Sequence, residues 1–416
     1  MTGAVFTPFG IGGVRLRNRI VRSAAFEGMA PSGIPSASLA RYHAEVAAGG
    51  AALTTVAYAS VSADGRTYGH QISLDFPDAM PGLRRVTDGV HREGAAAAIQ
   101  IGHCGYFANP SLTHERPIGP SAVFNRYGLL VPRVMTDADI DRVTAAFGRA
   151  AATSVEAGFD AVEVHAGHGY LLSQFLTPHT NRRRDRWGGS LGNRFRIVAG
   201  VMRAVRAAVP PGFPVMVKMN LSDGFPGGLE IGEAVQVARM LESEGADALV
   251  LSGGFVSRTP MYVMRGDVPF EDMYRGQTSL VKKAGLLVMG RLLVKAWPFT
   301  EAYFREDARR VRAAVRIPLV LVGGIRTLSV MEDLVAEGFD MLAMARPLII
   351  EPDLPRRMER GEATTSRCEP CNKCIAYMDH ELRRSKANQA VKLGSYEQNV
   401  GLKGQVPRDP AKFTPS

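Results

Sequence analysis

The chain has 416 residues, of which 46% are hydrophobic and 22% are charged, with 44 glycines and four cysteines. This apolar content excludes an intrinsically disordered protein. The length of the chain, with three of its cysteines in one short stretch, excludes a disulfide-built scaffold. The formal net charge of +10 leaves a nucleic acid, an acidic membrane surface or an anionic small ligand open as a partner.

Neither a secretion signal nor a membrane span is predicted. The first ten residues lack a basic segment followed by an apolar one. The most apolar stretch, residues 284–299, is interrupted by Arg291 and Lys295, whereas a spanning helix needs about 20 nearly uninterrupted apolar residues. We therefore expect a cytoplasmic protein that keeps its thiols reduced and has no membrane partner.

Short β-rich runs alternate with Ala-rich helical segments along most of the chain. The predicted strands are residues 19–24, 51–57, 95–101, 160–165, 214–219, 246–252, 318–322 and 340–345, and the clearest helices are 137–157, 194–209, 231–244 and 329–337. Eight strands in this order predict an α/β fold, a (β/α)8 TIM barrel. A doubly wound open sheet is the competing fold, but no Gly-x-Gly-x-x-Gly follows the first strand.

Two segments exceed a minimal barrel. The connection 253–317 after the sixth strand begins at the face where barrel active sites lie, so it is either a lid over the site or an insertion packed on the outer wall. After Pro355 the strand signals stop. We therefore predict a barrel domain at residues 1–355 and a C-terminal extension at 356–416, with a partly disordered end.

Functional residues of a barrel are expected at the C-terminal ends of its strands. Those ends carry Gln100 on strand three, His165, His168 and Tyr170 after strand four, Lys218 on strand five, Gly323 and Gly324 after strand seven, and Ala345 and Arg346 after strand eight. A glycine pair after strand seven with a cation after strand eight is an arrangement that binds phosphate. Each residue alone has an ordinary structural explanation, but together they predict a phosphate site beside a pair of imidazoles that polarises a carbonyl. A metal site of His165, His168 and His179 is less favoured, since no carboxylate or helical histidine pair accompanies them.

At this point the sequence resembles the old yellow enzyme family, the FMN-dependent NADH:flavin oxidoreductases and ene reductases. The similarity runs from about Phe6 to Pro355, and its matching segments are residues 18–26, 99–105, 165–196, 217–224, 321–327 and 344–355. Its most specific part is the block at 165–196, with His-x-x-His-Gly-Tyr-Leu and a downstream Gly-Gly-Ser.

The resemblance implies FMN as cofactor, NADH or NADPH as electron donor, and reduction of the C=C bond of an α,β-unsaturated carbonyl or carboxylic compound. His165 and His168 match the pair that binds the substrate oxygen, and Tyr170 matches the proton donor. The residues that match FMN contacts are Ser23, Ala24, Ala25, Phe26, Tyr58, Gln100, Lys218, Gly323, Gly324, Ala345 and Arg346, of which Gly323, Gly324, Ala345 and Arg346 match the phosphate site.

Three positions depart from familiar members of this family. Ala24-Ala25-Phe26 offers no thiol or hydroxyl to the flavin, Tyr58 stands where a small residue is usual, and Lys218 replaces the commoner arginine. These departures leave FMN binding as the expectation but bear on the reduction potential and the substrate range.

The cysteine cluster Cys368-x-x-Cys371-x-x-Cys374 resembles the region where larger relatives, including dienoyl-CoA reductases, bind a four-iron cluster. Such a cluster needs four thiolates, and the one other cysteine, Cys104, follows strand three. A zinc site completed by His380, an iron–sulfur cluster and metal-free structural thiols all stay open.

Other functions are open on the same barrel. Flavin-dependent amine oxidation or demethylation would favour aromatic or acidic groups around a cationic substrate, whereas the histidine pair favours a carbonyl or anionic oxygen. A non-enzymatic flavin-binding protein is less favoured because Tyr170 is present beside both histidines.

The basic residues are dispersed along the chain and no nucleic-acid-reading motif is found. We therefore expect a small-molecule substrate and no nucleic-acid partner. The chain is compatible with a homo-oligomer.

Overall fold

The computed structural model describes residues 3–276 and 280–376. Eight parallel strands form a closed barrel in the order of the chain. They are β1 (Ile20–Arg22), β2 (Leu53–Ser60), β3 (Ala96–Gly102), β4 (Ala161–Ala166), β5 (Val215–Asn220), β6 (Ala248–Ser252), β7 (Leu319–Val322) and β8 (Met341–Met344). Leu342 of β8 pairs with Ile20 of β1 and closes the ring. The predicted TIM barrel is therefore confirmed.

Eight helices follow the strands in alternation. They are α1 (Ala37–Ala48), α2 (Met80–Arg92), α3 (Asp137–Glu156), α4 (Leu191–Ala208), α5 (Ile231–Ser243), α6 (Arg305–Arg312), α7 (Leu328–Ala336) and α8 (Arg346–Ile350). Their starts are set by local chemistry: Thr136 and Asp139 form a capping box before α3, and Ser190 caps α4. The strands are mainly apolar because most of their side chains pack inside the barrel or against these helices.

Further elements complete the fold. The further helices are Pro110–Thr113, Leu171–Leu176, Pro260–Val263, Phe270–Gly276, Leu280–Leu293, Leu354–Glu359 and Lys373–Ala376, and single 3-10 turns lie at Ala4–Phe6, Pro31–Gly33, Ala63–Gly65, Pro77–Ala79 and Gly105–Phe107. Strand Ile118–Gly119 pairs with Arg133–Val134. The hairpin Phe9–Ile11 and Val14–Leu16 packs Ile11 and Leu16 against the inner layer of barrel side chains and so closes the N-terminal end of the barrel.

The residues after the predicted barrel boundary pack on the barrel as far as they are described. The backbone N–H of Arg356 donates to the Gly49 carbonyl at 2.9 Å, and that of Ser366 donates to the Arg326 carbonyl at 2.9 Å. The division of the chain at Pro355 stays a prediction. The predicted disordered end and His380 lie outside the described residues.

Within the part of the chain that the structure describes, no helix is both long enough and apolar enough to cross a lipid bilayer.

Candidate active site

One cavity of about 380 Å³ lies at the C-terminal ends of the barrel strands, within the size range of small-molecule sites. Every residue that the sequence predicted to contact a substrate or cofactor lines this cavity. The connection 253–317 contributes to its wall through Val256, Pro260, Val263, Met264 and Tyr303, among others. The barrel has therefore brought together predicted site residues that are up to 323 positions apart in the chain, from Ser23 to Arg346.

The buried His165 and the partly buried His168 form a pair whose ring centres are 5.1 Å apart. Burial lowers the pKa of His168 to about 3 and that of His165 well below its usual value, with Lys218 adding to both shifts. Both rings are therefore neutral near pH 7. The Gly167 backbone N–H points at His165 Nδ1 at 3.4 Å, so the proton of His165 is expected on Nε2.

The His168 backbone adopts a left-handed conformation that is fixed by its neighbours. Its φ is 58°, and its N–H donates to Asn220 Oδ1 at 2.9 Å. Asn220 Nδ2 in turn donates to Asp223 Oδ1 and to the Gly254 carbonyl, both at 2.8 Å. His168 Nε2 lies 2.8 Å from Ser252 Oγ. This network orients one member of the predicted substrate-binding pair.

Tyr170 and Tyr58 meet at the same wall of the cavity. The Tyr170 hydroxyl donates to the Tyr58 hydroxyl at 3.2 Å, and the Tyr170 ring centre is 4.9 Å from that of His165. Burial raises the pKa of Tyr58 well above its usual value, so Tyr58 stays protonated. The bulky Tyr58 therefore adds a second hydroxyl beside the predicted proton donor.

Lys218 forms a buried ion pair that the sequence prediction did not include. Its Nζ lies 2.9 Å from Glu163 Oε1, and Gln100 Nε2 donates to the same carboxylate oxygen at 2.6 Å. Lys218 and Glu163 are 2% and 3% exposed. The signal for Glu163 was present in the sequence, because a carboxylate inside an otherwise apolar strand requires a partner.

The loop 23–26 after β1 is held by a second buried pair that was also missed. Arg22 Nη1 lies 2.6 Å from Glu27 Oε1, and Arg22 Nη2 donates to the Ala25 carbonyl at 3.0 Å. Both Glu27 oxygens accept the Ala57 backbone N–H. These contacts join the ends of β1 and β2 and fix the loop that lines the cavity.

The opposite end of the cavity has the features of a phosphate site. Gly323 and Gly324 have φ values of 120° and 76°, and a Cβ on either would lie within 3 Å of a neighbouring aromatic ring, so both positions require glycine. Arg346 donates to the Arg265 carbonyl and to Asn372 Oδ1, and no carboxylate among the described residues pairs with it. The unpaired positive charge of Arg346, beside the backbone of two glycines that have no side chains, fits the phosphate of the predicted FMN.

The cysteine cluster lies at this same end. Cys368 and Cys374 line the cavity, and burial raises their pKa values to about 12 and 11, with Cys371 contributing to both shifts. Within residues 3–276 and 280–376, no group of three histidine, cysteine or acidic side chains has the arrangement of a metal site. The described part of the chain thus gives no support to a metal at His165, His168 and His179, while the zinc alternative involves His380, which is outside it.

The comparisons with known proteins agree with this geometry. A family model described as the NADH:flavin oxidoreductase / NADH oxidase family matches residues 4–290. The chain is 42% identical to a 4,4'-dithiodibutanoate disulfide reductase of Rhodococcus erythropolis, over 90% of this chain and 93% of that protein. It is 32% identical to an NADPH dehydrogenase of Listeria monocytogenes, over 73% of this chain and 94% of that protein.

The solved structures show the same fold at low sequence identity. A 2-naphthoyl-CoA reductase superposes with a TM-score of 0.78 at 24% identity, covering 91% of this chain and 56% of that one. An old yellow enzyme homologue from Zymomonas mobilis superposes with a TM-score of 0.71 at 22% identity, covering 91% of this chain and 99% of that one. The chain belongs to the NADH:flavin oxidoreductase / NADH oxidase family, which is the old yellow enzyme family, and is an FMN-dependent oxidoreductase that takes electrons from NADH or NADPH.

Proposed function

We propose that this enzyme reduces the C=C bond of an α,β-unsaturated carbonyl or carboxylic compound. The observation that carries the proposal is the grouping of His165, His168 and Tyr170 in one wall of the cavity. Two neutral imidazoles and a phenol are the donors that an enone or enoate oxygen and its α-carbon would need. An amine substrate would instead favour acidic groups around a cation.

The residues act on the substrate by binding and proton transfer. His165 and His168 hydrogen-bond the carbonyl or carboxyl oxygen and stabilise the negative charge that develops on it. Tyr170 gives its proton to the α-carbon and is then reprotonated from solvent. Tyr58, whose hydroxyl accepts the Tyr170 hydrogen bond, orients the donor.

FMN, when bound, supplies the hydride transfer that links oxidation of NADH or NADPH to reduction of the substrate. We assign its phosphate to Gly323, Gly324, Ala345 and Arg346. The remaining contacts are assigned to the residues that line the cavity between that end and the histidines: Ser23, Ala24, Ala25, Phe26, Tyr58, Gln100 and Lys218. The buried Lys218 places a positive charge there that Glu163 partly offsets.

Turnover of a simple enone tests the proposal. Purified protein loaded with FMN is mixed anaerobically with NADPH or NADH, and loss of the flavin absorbance is followed. We expect 2-cyclohexenone to restore the absorbance with formation of cyclohexanone. If NAD(P)H bleaches the flavin but no enone, enal or enoate restores the absorbance, alkene reduction is not the function of this site.

A second candidate is reduction of an organic disulfide, favoured by the 42% identity to a 4,4'-dithiodibutanoate disulfide reductase. The net reaction would consume one disulfide, one NAD(P)H and one proton, and would release two thiols and NAD(P)+. Release of 4-mercaptobutanoate from 4,4'-dithiodibutanoate, measured with a thiol reagent, tests it. Cys368→Ser separates a role for the cavity thiols from direct reduction, because direct reduction would survive this change.

We also propose that the enzyme acts in the cytoplasm and does not bind nucleic acid. All four cysteines are free thiols, which suits a reducing compartment. Light scattering of the purified protein would establish whether it is a homo-oligomer, and a gel-shift titration with duplex DNA would test the absence of nucleic-acid binding.

A further inference from the structure

Two arginines contact His179 near the cavity, and the charge of a third arginine, from another loop, acts on the same ring. Arg258 Nη1 lies 3.3 Å from His179 Nδ1, and Arg182 Nε donates to the His179 carbonyl at 3.3 Å. Arg126 is the third: its charge contributes to lowering the pKa of both His179 and Arg258. We call Arg126, Arg182 and Arg258 with His179 the arginine cluster.

The arginine cluster carries positive charge without a matching carboxylate. Some surface arginines of the described chain pair with an acid, as Arg84 does with Glu156 and Arg142 with Asp64. Among the described residues, no ion pair involves any of the three arginines of the cluster. Like charges repel when they are brought together, so such a grouping is stabilised when an anion binds to it.

Neighbouring groups do not neutralise the cluster. Arg258 stacks on the Phe225 ring, with its Cζ 4.3 Å from the ring centre. Asp223 lies in the same region, but its buried carboxylate accepts hydrogen bonds from Asn220 Nδ2 at 2.8 Å and from the Leu229 backbone N–H at 2.7 Å. Burial and Arg258, Arg182 and Arg126 together lower the pKa of His179 to about 4, so the ring is neutral near pH 7 and leaves the arginines as the charged groups.

The cluster adjoins the cavity in which the reaction is proposed to occur. Arg126 directly precedes Tyr127, which lines the cavity and whose ring centre lies 5.0 Å from that of Phe107. Arg258 follows the cavity residue Val256 by two positions, and Val256 N donates to the His168 carbonyl at 3.0 Å. Two residues of chain span at most about 7 Å. The His179 ring centre lies 6.2 Å from that of Phe255, and a Cβ on Gly169, next to His168, would lie 2.9 Å from the same Phe255 ring. The Phe255 ring thus lies between the cluster and the histidine pair, a separation that an extended substrate could span.

We propose that the arginine cluster binds a carboxylate at the far end of the substrate, so that the preferred substrates are acids with a reducible group several bonds away from the carboxylate. This inference rests on the proposed function only in assigning the other end of the substrate to His165 and His168. It holds for an alkene acid and for a dicarboxylate disulfide alike. Arginine suits this role because its planar guanidinium matches the two oxygens of a carboxylate.

A binding measurement tests the proposal without turnover. The probes are 4-(2-carboxyethyl)cyclohexanone and its methyl ester, titrated into the FMN-loaded enzyme by isothermal calorimetry. We expect the acid to bind roughly tenfold more tightly than the ester, the size of a charge-assisted hydrogen bond. Added salt should weaken binding of the acid and leave the ester unchanged. Equal affinities for acid and ester in the wild-type enzyme would overturn the proposal.

Arginine variants test whether the preference for the acid over the ester comes from the arginine cluster. Arg258→Ala, and separately the exposed Arg182→Ala, should remove most of the preference for the acid, and Arg258→Lys should keep part of it. Arg84→Ala, which removes an exposed arginine on α2, is the matched control and should keep the full preference. Thermal unfolding verifies that each variant is folded.

The arginine cluster could instead bind the coenzyme, because NADH and NADPH carry phosphates. Stopped-flow reduction of the flavin gives the affinity for each coenzyme in the same variants. We expect that affinity to change less than twofold. If the arginine variants lose affinity for NADH or NADPH while the acid still binds as in the wild type, the cluster belongs to the coenzyme and the proposal is wrong. Failure of enone turnover with an intact preference for the acid would refute only the proposed function.

Discussion

The histidines of the cavity owe their chemistry to burial rather than to their identity alone. A free imidazole has a pKa of about 6.5, but His165 and His168 lie where a positive charge is costly, and Lys218 adds repulsion. Each ring therefore keeps one N–H donor and no net charge over the physiological range. A neutral imidazole can polarise the substrate oxygen through its N–H. Because it is not a charged acid, it does not replace Tyr170 as the donor of the proton to the α-carbon.

The pH dependence of enone reduction tests this assignment. Because protonation of His168 occurs only near pH 3 and that of His165 well below its usual range, kcat/KM for 2-cyclohexenone should show no inflection near pH 6.5. A fall in kcat/KM at acidic pH with a midpoint close to 6.5 would contradict the assignment of both histidines as neutral donors.

The same shifts bear on stability. The unfolded chain takes up protons on these histidines below pH 6.5, whereas the folded chain does not. The free energy of unfolding should therefore fall as the pH drops from 6.5 toward 3. This fall should be shallower in His168→Asn, as measured by urea unfolding at a series of pH values.

Glu163 is predicted to tune the flavin through Lys218. Glu163→Gln keeps the shape of the side chain but removes the charge that offsets Lys218 at 2.9 Å. We expect the reduction potential of the bound flavin to rise by on the order of 30 mV, which corresponds to about 1.4 kcal/mol for two electrons. The measurement is a dye-coupled redox titration. Glu156→Gln, an exposed acid on α3, is the control, and an unchanged potential in Glu163→Gln would show that the pair is only structural.

At the scale of the elements, apolar patterning located the barrel strands within a few residues, because a strand buried on both faces has to be continuously apolar. β5 was predicted at 214–219 and lies at Val215–Asn220. The helices of the connection 253–317 were not individually predicted, and two of them, Pro260–Val263 and Phe270–Gly276, are too short to show a helical periodicity. The ion pairs Arg22–Glu27 and Lys218–Glu163 could not be paired from one sequence either, because their partners lie on different turns or strands.

The turn after β7 gives a prediction at this scale. Gly324→Ala would force a Cβ to within 2.9 Å of the Tyr303 ring at a φ of 76°, which L-residues rarely adopt. We expect the loop to shift and the protein to retain FMN at least tenfold less tightly, measured as flavin fluorescence released on dilution. Gly232→Ala is the matched control, because a Cβ at this position in α5 meets nothing within 4 Å. Equal FMN retention by both variants would show that the turn does not hold the cofactor.

All the predicted site residues of the molecule lie at one end of the barrel, where the C-terminal ends of the strands meet. The closed barrel joins the ends of all eight strands around one cavity, so residues that are distant in sequence become neighbours. Basic residues at the cavity and beside it account for part of the net charge of +10. Lys218 and Arg346 line the cavity, where their charge suits an anionic cofactor, and Arg126, Arg182 and Arg258 form the cluster that we propose binds an anionic substrate.

The most direct test of the account is the pair of half-reactions in Tyr170→Phe. Stopped-flow absorbance follows first the reduction of the flavin by NADPH or NADH, and then its reoxidation by 2-cyclohexenone. We predict that flavin reduction stays within about threefold of the wild type, whereas reoxidation slows by roughly 100-fold, the usual contribution of a positioned proton donor. Equal loss in both half-reactions, or no loss in reoxidation, would contradict the assignment of Tyr170 as the proton donor of an alkene reductase.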